Sequence, residues 1–422
     1  MATTRLAKTG LAAALSASLA FVSSQSPGSA GATQSATAPL EQPDINSPED
    51  SPGDLAQQEN QLRLAIATVE SAGGAYSPAL AEQLLSLGLA LQTQQRHAEA
   101  LVHLRRGVHL TRINDGLYHA RQIPLLKAEI SSLVALEQYA QTDERQAYLH
   151  RVQTRALPAG KTRADALMQQ AEWQYRAYQL ALPGRAYQRL MNMWDLNQLA
   201  LTDLIETEGE GSALLLTPLR GMLTAQYLIS AHVTENEPTS GFESASAAPN
   251  HDLNRFYAYR ARSYSNGQSI IRAMYDIERQ NSGPRALTTV NALTMLGDWQ
   301  FWHNRRDEAV QAYQDALAEL AERDDAQTQA QNIFGAPVAL PALDGLRPLP
   351  PAIEPAQGVI QLAFGVTERG RVINLERLDD NPETDTVATR LMRTLRKTRF
   401  RPRFDAGLPV TTDNVVRAYD VR

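Results

Sequence analysis

Apolar residues along the middle of the chain return every three or four positions, the spacing that places them on one face of a helix. Ser77 to Arg112 reads SPALAEQLLSLGLALQTQQRHAEALVHLRRGVHLTR. Leu84, Leu87 and Gly88 fall on one predicted helix, and Ala100, Leu104 and Gly107 on the next. The pattern returns between Val290 and Ala321, where Leu293, Leu296 and Gly297 precede Ala309, Tyr313 and Ala316. In both stretches the glycine of the first helix and the first alanine of the second stand twelve residues apart. Small residues so placed let two antiparallel helices approach closely. Between these stretches the same period predicts helix pairs over 118–152 and 164–194, turning at Gln141 to Asp143 and at Pro183 to Gly184. A further helix is predicted over 253–279.

After Gly358 the period changes from helical to alternating. In GVIQLAFGV, Ile360, Leu362, Phe364 and Val366 share one face of a strand. TERGR supplies a turn at Gly370, and VINLERL follows with Ile373 and Leu375 inward, predicting a hairpin. Val387, Ala388, Leu391, Met392 and Leu395 then form a helical stripe. RFRPRFDAGLPV, Arg399 to Val410, cannot be helical, because Pro402 removes a backbone donor and Pro409 forces its predecessor extended. It reads as two short extended pieces around a turn at Gly407, with Phe400 expected to bury against Phe364 and Leu391. A last strand, NVVRAYDVR, closes the chain.

Polar, Pro- and Ser-rich stretches separate these regions. The predicted layout is a signal segment over 1–30, a disordered spacer over 31–53 and a helical repeat region over 54–231. A flexible loop over 232–252 and a second helical region over 253–331 follow. A Pro-rich, semi-extended linker over 332–357 leads to a small domain over 358–422. The expected fold class is mostly α: a helical solenoid, then a compact strand–strand–helix–strand α+β unit. Degenerate pairs between two well-formed ones still argue for a solenoid, since a single pair cannot bury its apolar face alone.

The glycine and alanine spacings of the two clear stretches resemble the tetratricopeptide repeat. The terminal segment resembles the C-terminal domain of the TonB family. The likeness lies in the GVIQLAFGV opening, the Gly370 hairpin, the amphipathic helix before Arg399 and Phe400, and the pattern F-x-P-x-x-x-x-G-x-P-V. That pattern is filled by Phe400, Pro402, Gly407, Pro409 and Val410. The resemblance covers about the last sixth of the chain. It implies the small sheet-and-helix fold and a periplasmic setting. Family members that transduce energy pair this domain with a membrane helix and a Pro- and Lys-rich rod, whereas a helical-repeat region stands in that place here.

Composition narrows the function. Of 422 residues, 43% are hydrophobic and 20% charged, which suits a soluble globular protein. The net charge of -6 gives no general attraction for nucleic acid. The chain has no cysteine, which excludes disulfides, thiolate metal sites, cysteine nucleophiles and a lipid-carrying N-terminal cysteine. The first thirty residues have a basic start at Arg5 and Lys8, an apolar middle from Leu11 to Val22, and small residues at Gly28 and Ala30. This is the order of an export signal, and cleavage near Gly31 would leave a periplasmic protein. The alternative is an uncleaved segment anchoring the chain in the inner membrane.

No HExxH, Walker A, GxSxG or calcium-loop pattern occurs, so neither catalytic residues nor cofactor or metal ligands are assigned and no enzyme is expected. GEG at Gly209 to Gly211 lacks a third glycine and reads as an acidic turn. His97, His103 and His109 recur every six residues, which does not align them on one helix face. Two features remain as candidate partner contacts. The aromatics Trp299 and Trp302, three apart, either pack between helices or line a peptide groove on a concave face. The basic run Arg390, Arg393, Arg396, Lys397, Arg399, Arg401 and Arg403 is either a solvated face or a patch for an acidic partner or an anionic cell-wall polymer.

The expectation is therefore a protein-protein interaction scaffold of the cell envelope. Its repeats would bind one partner while the terminal domain takes another by strand addition along an exposed edge at Val415 to Val421, with Arg417 and Tyr419 on that strand. The alternative is a diverged TonB-type energy transducer retained in the inner membrane and acting in transport across the outer membrane.

Overall fold

A computed structural model describes residues 52–233, 251–354 and 360–420. The signal segment, nearly all of the spacer and most of the 232–252 loop lie outside the described residues. No helix among those described is long and apolar enough to cross a membrane. The chain divides into two compact units, one ending at Pro158 and one starting at Ala159. The division falls inside the region expected to run from 54 to 231. At this point Pro158 holds Leu157 extended (ψ 132°) and ends the preceding helix.

The first unit consists of α1 (Pro52–Gly73), α2 (Leu80–Thr93), α3 (His97–Asn114), α4 (Gln122–Ala135) and α5 (Tyr139–Ala156). Leu80, Leu84, Leu87 and Leu91 of α2 bury against Ala100 and Leu104 of α3. A side chain at Gly88 would strike Leu104, and one at Gly107 would strike Leu125. The glycines are thus where helices touch, as their spacing predicts. Glu129 is fully buried on α4 and is met by Arg105 at 3.1 Å and Arg145 at 2.9 Å.

The second unit opens with α6 (Lys161–Gln179), α7 (Ala186–Glu208), a short 3-10 turn and α8 (Leu216–Ala231). It continues with α9 (His251–Ala261), α10 (Ser263–Ser282), α11 (Leu287–Trp302), α12 (Arg306–Ala321) and α13 (Ala326–Phe334). The helix expected over 253–279 is two helices broken at Arg262, where the Ser263 hydroxyl donates to the Gln226 carbonyl at 3.3 Å. In α11 and α12, Gly297 sits under the Tyr313 ring, the counterpart of Gly88 under Leu104 sixteen residues on.

One turn geometry recurs. Gln95, Glu137, Ala181 and Asn304 each take positive φ, between 49° and 66°, after a helix. Each donates its N–H to the carbonyl three residues back, and the next residue donates five residues back, at 2.8–3.1 Å. This paired closure satisfies the last carbonyls of a helix and starts the return helix at once. It joins α2 to α3, α4 to α5, α6 to α7 and α11 to α12, so the degenerate pairs share the turn of the clear ones. The first degenerate turn is at Leu136 to Gln138, a few residues before the expected Gln141 to Asp143. The second includes Pro183 and Gly184 as expected.

The terminal region adds β1 (Val338–Leu340), β2 (Ala352–Ile353), β3 (Ile360–Val366), β4 (Val372–Arg377), α14 (Asp385–Lys397), β5 (Arg399–Arg401), β6 (Arg403–Asp405), β7 (Leu408–Val410) and β8 (Thr412–Tyr419). The main sheet is antiparallel in the order β2-β8-β3-β4. Ala388, Leu391 and Leu395 of α14 cover it, while Val387 at the margin of the stripe is 36% exposed. RFRPRFDAGLPV becomes β5, a break at Pro402, and the β6–β7 hairpin, turned by Ala406 (φ 47°) and Gly407 (φ 77°). Phe400 is fully buried with its ring 5.8 Å from that of Phe364, in one core with Leu391.

Two expectations need correction. The described part of the stretch expected as a linker over 332–357 is no free chain: β1 pairs with β5, β2 pairs with β8, and Leu340 and Leu349 are buried in the two adjoining cores. Its prolines keep it extended, and extended chain beside an open strand pairs with it. The last strand is not an exposed edge over its full length either: β2 pairs with it at Ala418 and Tyr419. β8 lies between β3 and β2, and Arg417 donates to the Pro337 carbonyl at 2.8 Å. The outer strand on the opposite side is β4.

Candidate functional site

The terminal sheet is built onto the last repeat hairpin. Asp298 of α11 receives the Tyr313 hydroxyl at 2.8 Å and Arg401 Nη1 of β5 at 3.2 Å to each oxygen. Burial pushes the Asp298 carboxyl above the usual range, even with Arg401 beside it. Next to this pair the Phe404 ring lies 5.1 Å from that of Tyr313 and 5.5 Å from that of Phe334. Gln314 donates to the Gly407 carbonyl at 3.0 Å. Charge, aromatic packing and a side-chain bond thus tie β5 to β7 onto α11, α12 and α13.

Arg399, two residues before Arg401, points its Nη1 at the C-terminal end of α11. It donates to the Trp302 carbonyl at 2.6 Å, and to the Phe301 carbonyl and Asn304 Oδ1 at 3.3 Å. A cation is favoured where helix carbonyls are left open. Gly370 meets the same corner from the β3–β4 turn: its φ is 65°, its carbonyl accepts the Phe400 N–H at 3.0 Å, and any Cβ would run into the Phe400 carbonyl oxygen. Only glycine fits there.

The expected contact residues disperse. Trp299 is fully buried, donating Nε1 to the Tyr264 carbonyl at 2.9 Å and standing edge-on to Tyr227 at 4.6 Å. It packs helices and lines no groove, because its position on α11 faces α8 and α10. Trp302 is half-buried and donates to the Ser230 hydroxyl at 3.0 Å. Of the basic run, Arg401 turns inward and Arg403 approaches Asp405 at 3.8 Å. Arg390 and Arg393 lie exposed on α14, and Arg396 and Lys397 end that helix in solvent. Val415 and Arg417 are half-buried, Val416 between them is exposed, and Tyr419 is fully buried.

Sequence reasoning missed Asp298 and Tyr313 as the seat of the terminal region, and Arg306, Arg369 and Arg371 as neighbours of the basic run. The distances along the chain are long, and no local pattern marks them. GEG closes α7: Gly209, at φ 87°, donates to the Ile205 carbonyl at 3.0 Å. Among the described residues no cluster of three His, Asp or Glu side chains is placed to hold a metal ion. A cavity of about 590 Å³ in the first unit is lined by Arg105, Arg112, Arg145, Arg151, Tyr118 and Tyr148. A second, of about 410 Å³, lies beside Asp298 and Arg401 and mixes both charge signs.

No protein-family model matches the chain, and no curated protein does. Among solved structures it is similar to nearly identical TPR-like repeats of a kinesin light chain from Podospora anserina. The identity is 13% over 60% of this chain and 97% of that one, with a TM-score of 0.37. The repeat character of this chain rests on its own glycine contacts and recurrent turns.

Proposed function

We propose that the chain is an exported scaffold for protein-protein interactions in the cell envelope, with a terminal domain of the TonB C-terminal type. Stacked helical hairpins offer long surfaces to protein partners. The observation that carries the reading is the fusion of a small antiparallel sheet onto the last hairpin through Arg401 and Asp298, with β4 as its outer strand. An extended segment of a second protein would add to β4, where main-chain groups supply the affinity and alternate side chains the specificity. The strand–strand–helix–strand order and the pattern from Phe400 to Val410 support the family likeness; the export signal supports the periplasmic setting.

The test places a photo-reactive side chain in the full chain at Glu376, exposed on β4, or at Val416 on β8. Adducts with envelope proteins from Glu376 and few from Val416 are the expected result. Adducts from Val416 alone would overturn docking on β4. A mature chain that begins at Met1 and stays in the membrane fraction would overturn export as a soluble protein and favour an anchored energy transducer.

A further inference from the structure

We propose that the cleft between the start of α12, the β3–β4 turn and the end of α14 is a binding site for a ligand carrying clustered phosphate groups. The proposal does not depend on strand docking at β4. The cleft holds about 400 Å³, with Phe301, Gly370 and Val372 among the residues that line it. Six cations also line it, Arg306, Arg369, Arg371, Arg396, Lys397 and Arg399, and no carboxylate does.

Local structure explains only part of this. Arg396 and Lys397 complement the C-terminal end of α14, and Arg399 caps α11. Arg306 is the first residue of α12, where the helix dipole disfavours a cation. Arg369 and Arg371 flank the turn glycine. Several arginines elsewhere are matched: Arg96 by Glu59 and Glu99, Arg377 by Asp379 and Asp385, Arg401 by Asp298. Among the described residues, the one ion pair made by these six is Arg369 with Glu368, at 3.9 Å and well exposed. The crowding is felt at Arg399, whose guanidinium is pushed down first by burial and then by Arg371 and Arg306. In a chain of net charge -6, such repulsion is relieved by an anion.

The ligand class follows from charge density. Five of the six cations are arginines, whose planar forks bind oxyanions bidentately. A carboxylate brings one charge on a whole side chain, whereas a phosphate brings about one and a half to two on five atoms. In a cleft this small clustered phosphates match six cations far better than carboxylates do.

The experiment is calorimetric titration of the full chain with inorganic tripolyphosphate at low and physiological salt. Hexaglutamate is titrated in parallel. Tripolyphosphate should bind more tightly than hexaglutamate and weaken with salt. The exposed pair Arg371→Gln with Arg396→Gln should lose about tenfold or more of that affinity with an unchanged thermal midpoint, since charge-assisted bonds are removed and no packing is. Arg112→Gln, in the first-unit cavity, should bind like the parent. A vesicle arm, phosphatidylcholine with or without phosphatidate, separates sources. Retention by phosphatidate that tripolyphosphate competes away assigns a lipid headgroup; no retention assigns a soluble phosphate. Equal affinity for hexaglutamate, no tripolyphosphate binding, or a double variant that binds like the parent would overturn the proposal.

Discussion

Arg401 of β5 and Asp298 of α11 form a buried ion pair, with Arg401 Nη1 3.2 Å from each carboxylate oxygen. Their side chains are only 8% and 5% exposed, so this is a pair largely removed from water. Breaking one side of such a pair strands a charge and costs about 3–5 kcal/mol, while replacing both by apolar residues is often near neutral. Arg401→Met should therefore destabilise the second unit strongly. Arg401→Met with Asp298→Leu should recover most of the loss, less the cost of the unpaired Tyr313 hydroxyl. Denaturant unfolding of the full chain measures both. A double variant no better than Arg401→Met would mean that the two residues are not coupled.

Gly297 and Gly88 lie where a side chain meets Tyr313 and Leu104. Gly297→Leu overpacks α11 against α12 and should cost on the order of 1–3 kcal/mol. Gly88→Leu should do the same in the first unit. Thermal unfolding equal to the parent would show that the helices are not in contact there.

Phe400 is fully buried, and its neighbours Arg399 and Arg401 hold α11. Phe400→Ala should cost roughly 3–5 kcal/mol by leaving a cavity. Its effect should spread: amide exchange should accelerate at the C-terminal turn of α11 as well as in β3 and β8. Faster exchange in the sheet alone would indicate a terminal domain that folds without the repeat.

Burial depresses the His303 imidazole from its usual 6.5 to about 4, and Arg399 adds to the effect. The ring packs tilted, at 59°, against that of Trp299 with centroids 4.4 Å apart, and its Nε2 is buried without a hydrogen-bond partner. The folded chain keeps it neutral while the unfolded chain takes up a proton. Its contribution is complete above pH 6.5 and is lost as pH falls toward 4. His303→Gln should therefore flatten the decline of stability between pH 6.5 and 4 and leave the slope above pH 7 unchanged. Parallel curves for parent and variant in the acid range would contradict this.

The sequence alone determined what short-range periodicity and small residues can encode. Leu84, Leu87 and Gly88, or Ile360, Leu362 and Phe364, declare helix and strand faces because neighbours within one turn or one pleat decide those elements. The break at Pro402 and the turn at Gly407 were legible for the same reason, since proline and glycine restrict the backbone locally. Tertiary structure alone decided pairing and polarity. β8 reads as a free edge throughout until β2, from the Pro-rich stretch, pairs with its last two residues. Trp299 and Trp302 read alike, three residues apart, until packing buries one fully and leaves the other half-exposed. Arg399 and Arg401 belong to one basic run, yet one reaches helix carbonyls and the other a buried carboxylate. Arg306, Arg371 and Arg396 meet only because three elements converge. Such contacts depend on where distant segments are brought in space, and no local pattern of residues carries that information.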